Sequence, residues 1–237
     1  MEGVTILMPV YNAAPYLRTA LDSLLAQTYQ HWTLLCVDDG STDGSGAIVS
    51  DYCCKDARIT SLWQPHSGLS AALNHGILRT DGTWIARMDA DDWAHPERLA
   101  RQMAFLTRNP GTAILGTQGF AFTETHAMTT TGDWGDPLPW QPCLESEIRR
   151  QAEYRNPFIH SSVIFHRDVV QQVGGYDESF RYCPDFALWN RIATTMLGWG
   201  LANLPQRLIG YRRHHRACLT ARYPIRKWWE NARVVCA

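Results

Sequence analysis

Nowhere in the 237 residues does an apolar run last long enough to cross a bilayer. The short apolar stretch Met1–Val10 has no basic segment before it, which excludes the pattern of a secretory leader. Excess charge is missing too: 22 Lys and Arg stand against 23 Asp and Glu, a net charge of -1. That balance gives no reason to expect a nucleic-acid surface. An anionic substrate would need a local device, either a metal ion or a few placed side chains. The seven cysteines are odd in number, and their spacing matches neither a zinc site nor a secreted disulfide framework. Free thiols in a reducing cytoplasm are the expectation, with the adjacent Cys53 and Cys54 packed on a helix. Repeats and low-complexity tracts are absent. What remains is a chain with 45% hydrophobic residues, enough for a sizeable core in one domain or one domain with a modest appended half.

Strand and helix signals alternate through the first half, which argues for an α/β domain with a largely parallel sheet. Val4–Met8, Trp32–Val37, Ile59–Trp63 and Thr83–Met88 read as strands. Helices are expected from Pro15, over Ser45–Cys54, over Leu69–Leu78 and over Pro96–Thr107. The second half is less regular. Ala113–Thr117, Phe120–Phe122, Ser162–Phe165 and Leu208–Tyr211 read as strands, and Arg167–Val173, Pro184–Met196 and Pro224–Val235 as helices. Thr123–Gln141 is a long polar connection, the kind that is either functional or poorly ordered. The division expected is 1–110 for one half and 111–237 for the other, within a single domain.

In open α/β sheets, ligands bind outside the carboxyl ends of the strands. Three such loops carry unusual residues: Pro9–Asn12 after the first strand, Asp38–Ser45 after the second and Asp89–Asp92 after the fourth. Converging, they bring Asp38, Asp39, Asp89, Asp91 and Asp92 near one edge. Like charges packed together need an offset. Magnesium or manganese supplies one, because hard cations take one or two carboxylates and leave room for phosphate oxygens. The spacing in Asp89-Ala90-Asp91 therefore predicts a metal-bridged nucleotide diphosphate. Read alone, Asp38–Ser45 is better explained by a tight turn and a helix start; beside Asp89–Asp92 the functional reading is favoured. Three carboxylates in four positions at Asp89–Asp92 exceed what a nearby helix dipole needs.

The order of motifs resembles glycosyltransferase family 2. The residues that carry the resemblance are Met8–Ala13 (MPVYNA), Val37–Ser45 (VDDGSTDGS), Ser67–Gly76 (SGLSAALNHG), Met88–Asp92 (MDADD), Gly174–Glu178 (GGYDE), Pro184–Trp189 (PDFALW) and Tyr211–His214 (YRRH). The resemblance implies the GT-A fold, a Rossmann-like nucleotide-diphospho-sugar transferase architecture with a mainly parallel central sheet flanked by helices. It implies that 1–110 binds the nucleotide-sugar and 111–237 binds the acceptor and carries the base. Nucleotide-sugar contacts fall on Pro9, Tyr11, Asn12, Asp39, Ser70, Asn74, Asp89, Ala90 and Asp91. Tyr11 is expected to stack on the base and Asp39 to accept a hydrogen bond from it. The metal, Mn2+ or Mg2+, falls to Asp91, with Asp89, Asp92 and His214 beside it. Asp185 matches the general base, and a base on a distant part of the chain suits a single displacement in which proton acceptor and metal flank the sugar.

Two departures stand out. Many relatives have Glu-Asp where this chain has Pro184-Asp185, and His215 beside His214 makes that ligand ambiguous. The Gln-x-x-Arg-Trp signature of processive synthases is absent, which favours transfer of a single sugar; the resemblance implies inversion. Without the resemblance, Asp185 reads as an acid in a first helical turn, Tyr11 equally as a core aromatic, His160 as a buried residue at a strand start and His214 as a surface histidine. The donor expected is a UDP-sugar and the acceptor a saccharide or lipid-linked saccharide, in polysaccharide, lipopolysaccharide or other glycoconjugate synthesis. Tyr223–Glu230 mixes basic and aromatic residues and would allow peripheral contact with the inner face of the cytoplasmic membrane. An ordinary packed helix explains the same stretch. Two other functions stay open. A sugar-1-phosphate nucleotidyltransferase would need a glycine-rich basic loop that Pro9–Ala14 lacks, and a non-catalytic binding module would keep the fold without turnover.

Overall fold

Residues 3–123, 135–180 and 183–213 are described in the structure, a computed structural model. Four strands form a parallel block: β1 (Val4–Val10), β2 (Trp32–Asp38), β3 (Ile59–Trp63) and β4 (Trp84–Arg87), in the spatial order β3-β2-β1-β4. Helices α1 (Ala14–Leu25), α2 (Ser45–Lys55) and α3 (Leu69–Leu78) make the crossovers. The sheet continues past β4 through β8 (Ile164–His166), β6 (Thr112–Phe122), β9 (Gly200–Arg212) and β5 (Trp93–Ala94), with β7 (Asp136–Pro137) pairing to β6. β8 is antiparallel to β4 and to β6, so β6 and its parallel neighbour β9 point the same way as β1. The sheet is mixed and mostly parallel. It runs unbroken from the first half of the chain into the second.

Helices cover both faces because the strands bury side chains on both. Ile6, Met8 and Val10 of β1 pack with Leu17, Leu21 and Leu24 of α1, and with Met103 and Leu106 of α4 (Arg98–Arg108). Leu7 points the other way, toward Leu73 and Ile77 of α3 and toward Leu188, Trp189 and Ile192 of α7 (Pro184–Thr195). The same face takes Val169 and Val170 of α6 (Arg167–Gln172) and Ile148 of α5 (Glu145–Ala152). Pro15 lies in the first turn of α1 and Pro184 in that of α7, where the missing N–H costs nothing.

Several sequence expectations need correction. The two short strands expected at Ala113–Thr117 and Phe120–Phe122 are one strand, β6. Thr117 and Gln118 break the apolar pattern yet are buried, and Gln118 meets Gln141 through two backbone bonds of 2.8 and 2.9 Å. The last strand runs over Gly200–Arg212 rather than Leu208–Tyr211, with register shifts against β6. α5 escaped the periodicity reading because only Ile148 and Ala152 of its eight residues are buried. The helix expected at Pro224–Val235, and His214 and His215, lie outside the described residues. Among the described residues, no helix is long and apolar enough to cross a membrane.

Candidate active site

β1 and β2 end level with each other, Val10 opposite Asp38, so their following loops meet. Asn12 sits at φ 49°, a left-handed conformation that Asn tolerates better than most side chains. The turn is stapled to the β2 loop. Asn12 N–H donates to Ser41 Oγ at 3.1 Å, Ala13 N–H to Ser45 Oγ at 2.9 Å and Ala14 N–H to Asp43 Oδ2 at 3.0 Å. Asn12 Oδ1 in turn accepts from Thr42 N–H at 2.9 Å. Asp38 is buried and accepts from Ser41 N–H, which makes it a turn former. Gly40 is required there: its φ is 75°, and a Cβ would stand 2.8 Å from the His66 backbone nitrogen.

Asp39 has all its acceptor capacity in use. Oδ1 accepts from Gln64 Nε2 at 2.7 Å and Ser67 N–H at 2.8 Å; Oδ2 accepts from His66 Nδ1 at 2.8 Å and Gly68 N–H at 2.9 Å. The His66 ring also lies on Tyr11, with centroids 4.0 Å apart and planes 14° from parallel. Thus His66 occupies both positions at which the sequence expects a nucleobase to be held, the face of Tyr11 and an oxygen of Asp39. Tyr11 is about half exposed.

β4 ends on Arg87 and delivers Asp89, Asp91 and Asp92, each placing a carboxylate oxygen within 4.8 Å of the others. Their surroundings differ. Asp89 forms an ion pair with the fully buried Arg87. Asp92 is 1% exposed and accepts from Ser161 Oγ and, at 3.0 Å, from Arg212 N–H. Asp91 is only half-buried, and its carbonyl accepts from Arg212 Nε at 2.8 Å. Burial holds Asp92 well above the usual carboxylate range, and Asp91 and Asp89 push the same way. Burial also raises Asp89, against the pull of Arg87. Beneath them Arg98, fully buried and pushed down to about 9 by that burial, donates to Arg87 O at 2.7 Å.

Asp185 arrives from the first turn of α7, and its charge is felt at Asp89 across the cluster. Burial raises it, while the Phe186 N–H, the Arg87 charge and Asn156 work to lower it. Asn156 Nδ2 donates to Asp185 Oδ2 at 2.5 Å. His160 Nε2 bonds the Tyr176 hydroxyl at 2.9 Å, and burial then Arg87 keep its ring well below its ordinary pKa.

The structure therefore brings Pro9, Tyr11, Asn12 and Asp39 together on one pair of loops, and Asp89, Ala90, Asp91 and Asp92 with Asp185 at the neighbouring strand end. Asn74 is otherwise engaged. Its amide donates to Tyr176 O at 2.8 Å and Glu178 Oε1 at 2.9 Å, and accepts from Tyr176 N–H at 2.8 Å. It holds the 174–178 turn, where a Cβ on Gly175 would come 2.7 Å from its Oδ1. Ser70 is buried within α3. Sequence reading missed His66, Arg87, Asn156, Ser161 and Arg212. Only Arg87 left a signal, as a charged residue closing a strand that is buried throughout.

The chain matches the family model described as glycosyl transferase family 2 over residues 5–174. It is 30% identical over 211 residues to the amylovoran biosynthesis glycosyltransferase AmsE of Erwinia amylovora, covering 88% of this chain and 75% of that one. Other curated relatives are spanned less fully, 66% and 65% of the length of two from Bacillus subtilis and Haemophilus influenzae. Among solved structures it resembles S. aureus TarS in complex with UDP-GlcNAc, at a TM-score of 0.77 and 16% identity over 98% of this chain and 65% of that one. It also resembles the mannosyltransferase PcManGT of Pyrobaculum calidifontis in complex with GDP-Man and Mn2+, at 0.66 and 19% over 91% and 58%. These likenesses match the GT-A architecture expected from the motifs.

Proposed function

The chain belongs to glycosyl transferase family 2, and we propose that it moves one sugar, with inversion, from a nucleotide-diphosphate donor to an acceptor hydroxyl. The observation that carries this reading is the gathering of Asp89, Asp91 and Asp92 after β4, at the edge where the β1 and β2 loops also end, with Asp185 of α7 near enough for its charge to act on Asp89. A proton acceptor and a cation-attracting cluster on one strand edge suit a displacement in which attacking and leaving groups lie on opposite sides of the sugar.

The acceptor oxygen forms a bond to the anomeric carbon as the bond from that carbon to the diphosphate oxygen breaks. The hydroxyl proton passes to Asp185, and the nucleoside diphosphate departs. Asp91, half-buried like Asp89, would hold Mn2+ or Mg2+ with Asp89 and Asp92; the set is all oxygen, which suits a hard cation. Such an ion offsets charge on the departing diphosphate. Tyr11 and Asp39 bind the base once His66 has left them.

A UDP-sugar is the donor we favour, in keeping with the UDP-GlcNAc complex of the similarly folded TarS. A saccharide or lipid-linked saccharide acceptor, and a place in envelope polysaccharide synthesis, are in keeping with the name of AmsE. Acceptor binding by 111–237 belongs to the same reading. The test is a thermal-shift series of UDP, GDP and their sugars with and without Mn2+. Metal-dependent stabilisation by at least one sugar nucleotide is expected; none by any of them would remove the reading.

A further inference from the structure

We propose that Asn156 is the positioning residue for Asp185, holding the orientation in which the base receives the acceptor proton. This rests on Asp185 being the base, and it follows from how the amide is itself held. Asn156 Oδ1 accepts from Phe158 N–H at 3.1 Å, and the Asn156 carbonyl accepts from Gln151 Nε2 at 3.1 Å. With the amide oxygen turned to its own backbone, the NH2 faces Asp185, so an amide flip would lose both side-chain bonds. The 2.5 Å contact then ties Asp185 Oδ2 to a donor that has no other orientation to adopt. An oxygen so tethered holds the whole carboxylate in one orientation, with the Phe186 N–H as a further donor.

The surroundings explain why an amide stands there. The groups facing Asp185 from other elements are Arg87 of β4, Asp89 beyond it and Tyr176 ahead of α7. Burial opposes the ionised base, while Arg87 favours it by charge. A second acid at 156 would add a like charge in van der Waals reach. A neutral donor adds direction and favours the ionised form. Pro184, where many relatives carry an acid, offers no hydrogen-bonding side chain, so orientation of the base comes from a segment 29 residues upstream. The same segment, through Ser161, also grips Asp92.

The experiment compares wild type, N156A, N156D and D185N by release of UDP from UDP-GlcNAc in the presence of Mn2+, with UDP affinity measured alongside. N156A is expected to lose about tenfold or more in kcat, with UDP affinity unchanged within twofold. N156D keeps the shape, so it serves as the test if the alanine variant is unstable. Its kcat–pH profile should move its acid limb upward by about one unit or more, because two carboxylates then share the site. Unchanged kcat in N156A, or an acid limb in N156D that coincides with wild type, overturns the proposal. Undiminished turnover in D185N would instead remove Asp185 as base, a separate failure belonging to the preceding reading.

Discussion

Asp185 carries its charge where burial opposes it, which raises its proton affinity above that of an ordinary carboxylate at 3.8. A base must be ionised to act, so turnover should fall as pH drops through a midpoint above 3.8, and a kcat–pH profile reads that midpoint directly. Asp185→Asn should retain nucleotide binding, measured by titration with UDP, and lose transfer by about 100-fold or more, the range a general base contributes. His66 makes a prediction of opposite sign. While its ring covers Tyr11 and holds Asp39, only the open fraction of molecules can take a base, so apparent affinity is reduced by that fraction. His66→Ala should bind UDP more tightly, by about three- to tenfold if ring stacking and one hydrogen bond are released. Weaker binding by calorimetry would mean that the imidazole closes over the base as a second wall.

At the scale of elements, the chemistry hangs on how strands end. β4 stops on Arg87, whose guanidinium is 1% exposed and anchors Asp89, and the backbone of Arg87 is held by Arg98 from α4. Arg87→Met should cost about 3 kcal/mol, since it leaves Asp89 with a charge half-withdrawn from water and no partner. Adding Asp89→Asn should recover part of that, and denaturant titration of the two variants measures both. The loops after β1, β2 and β4 were legible in the sequence because turn and acidic residues there interrupt clear apolar runs. The reach of β9 to Arg212 was not. Its middle, Pro205 to Arg207, is exposed and polar, and Pro205 and Gln206 fall in a register shift against β6, so no continuous period marks the strand. In the 156–162 segment only His160 drew notice, as a buried residue at a strand start, since Asn and Ser in a loop have no period to betray that each holds an aspartate.

On the scale of the whole molecule, the parallel block could be read from alternation alone, and the fold followed from the order of the motifs. The antiparallel β8 between β4 and β6 could not, because three residues with apolar and polar members mixed carry no direction. Past that reversal the chain packs α7 on the same sheet face as α3, and the charge of Asp185 reaches Asp89 from nearly a hundred positions away. The two halves of the chain share one sheet, and the proposed site lies at the end of β4, beside the strand β8 that begins the second half's share of it. The direct measurement of this arrangement is calorimetric titration of wild type and Asp91→Ala with UDP-GlcNAc, UDP and GDP, with Mn2+ and with EDTA. Binding of at least one nucleotide that requires Mn2+ and is lost in Asp91→Ala is the expected result. Equal binding with EDTA, or by Asp91→Ala, would contradict a cation-held diphosphate at this edge.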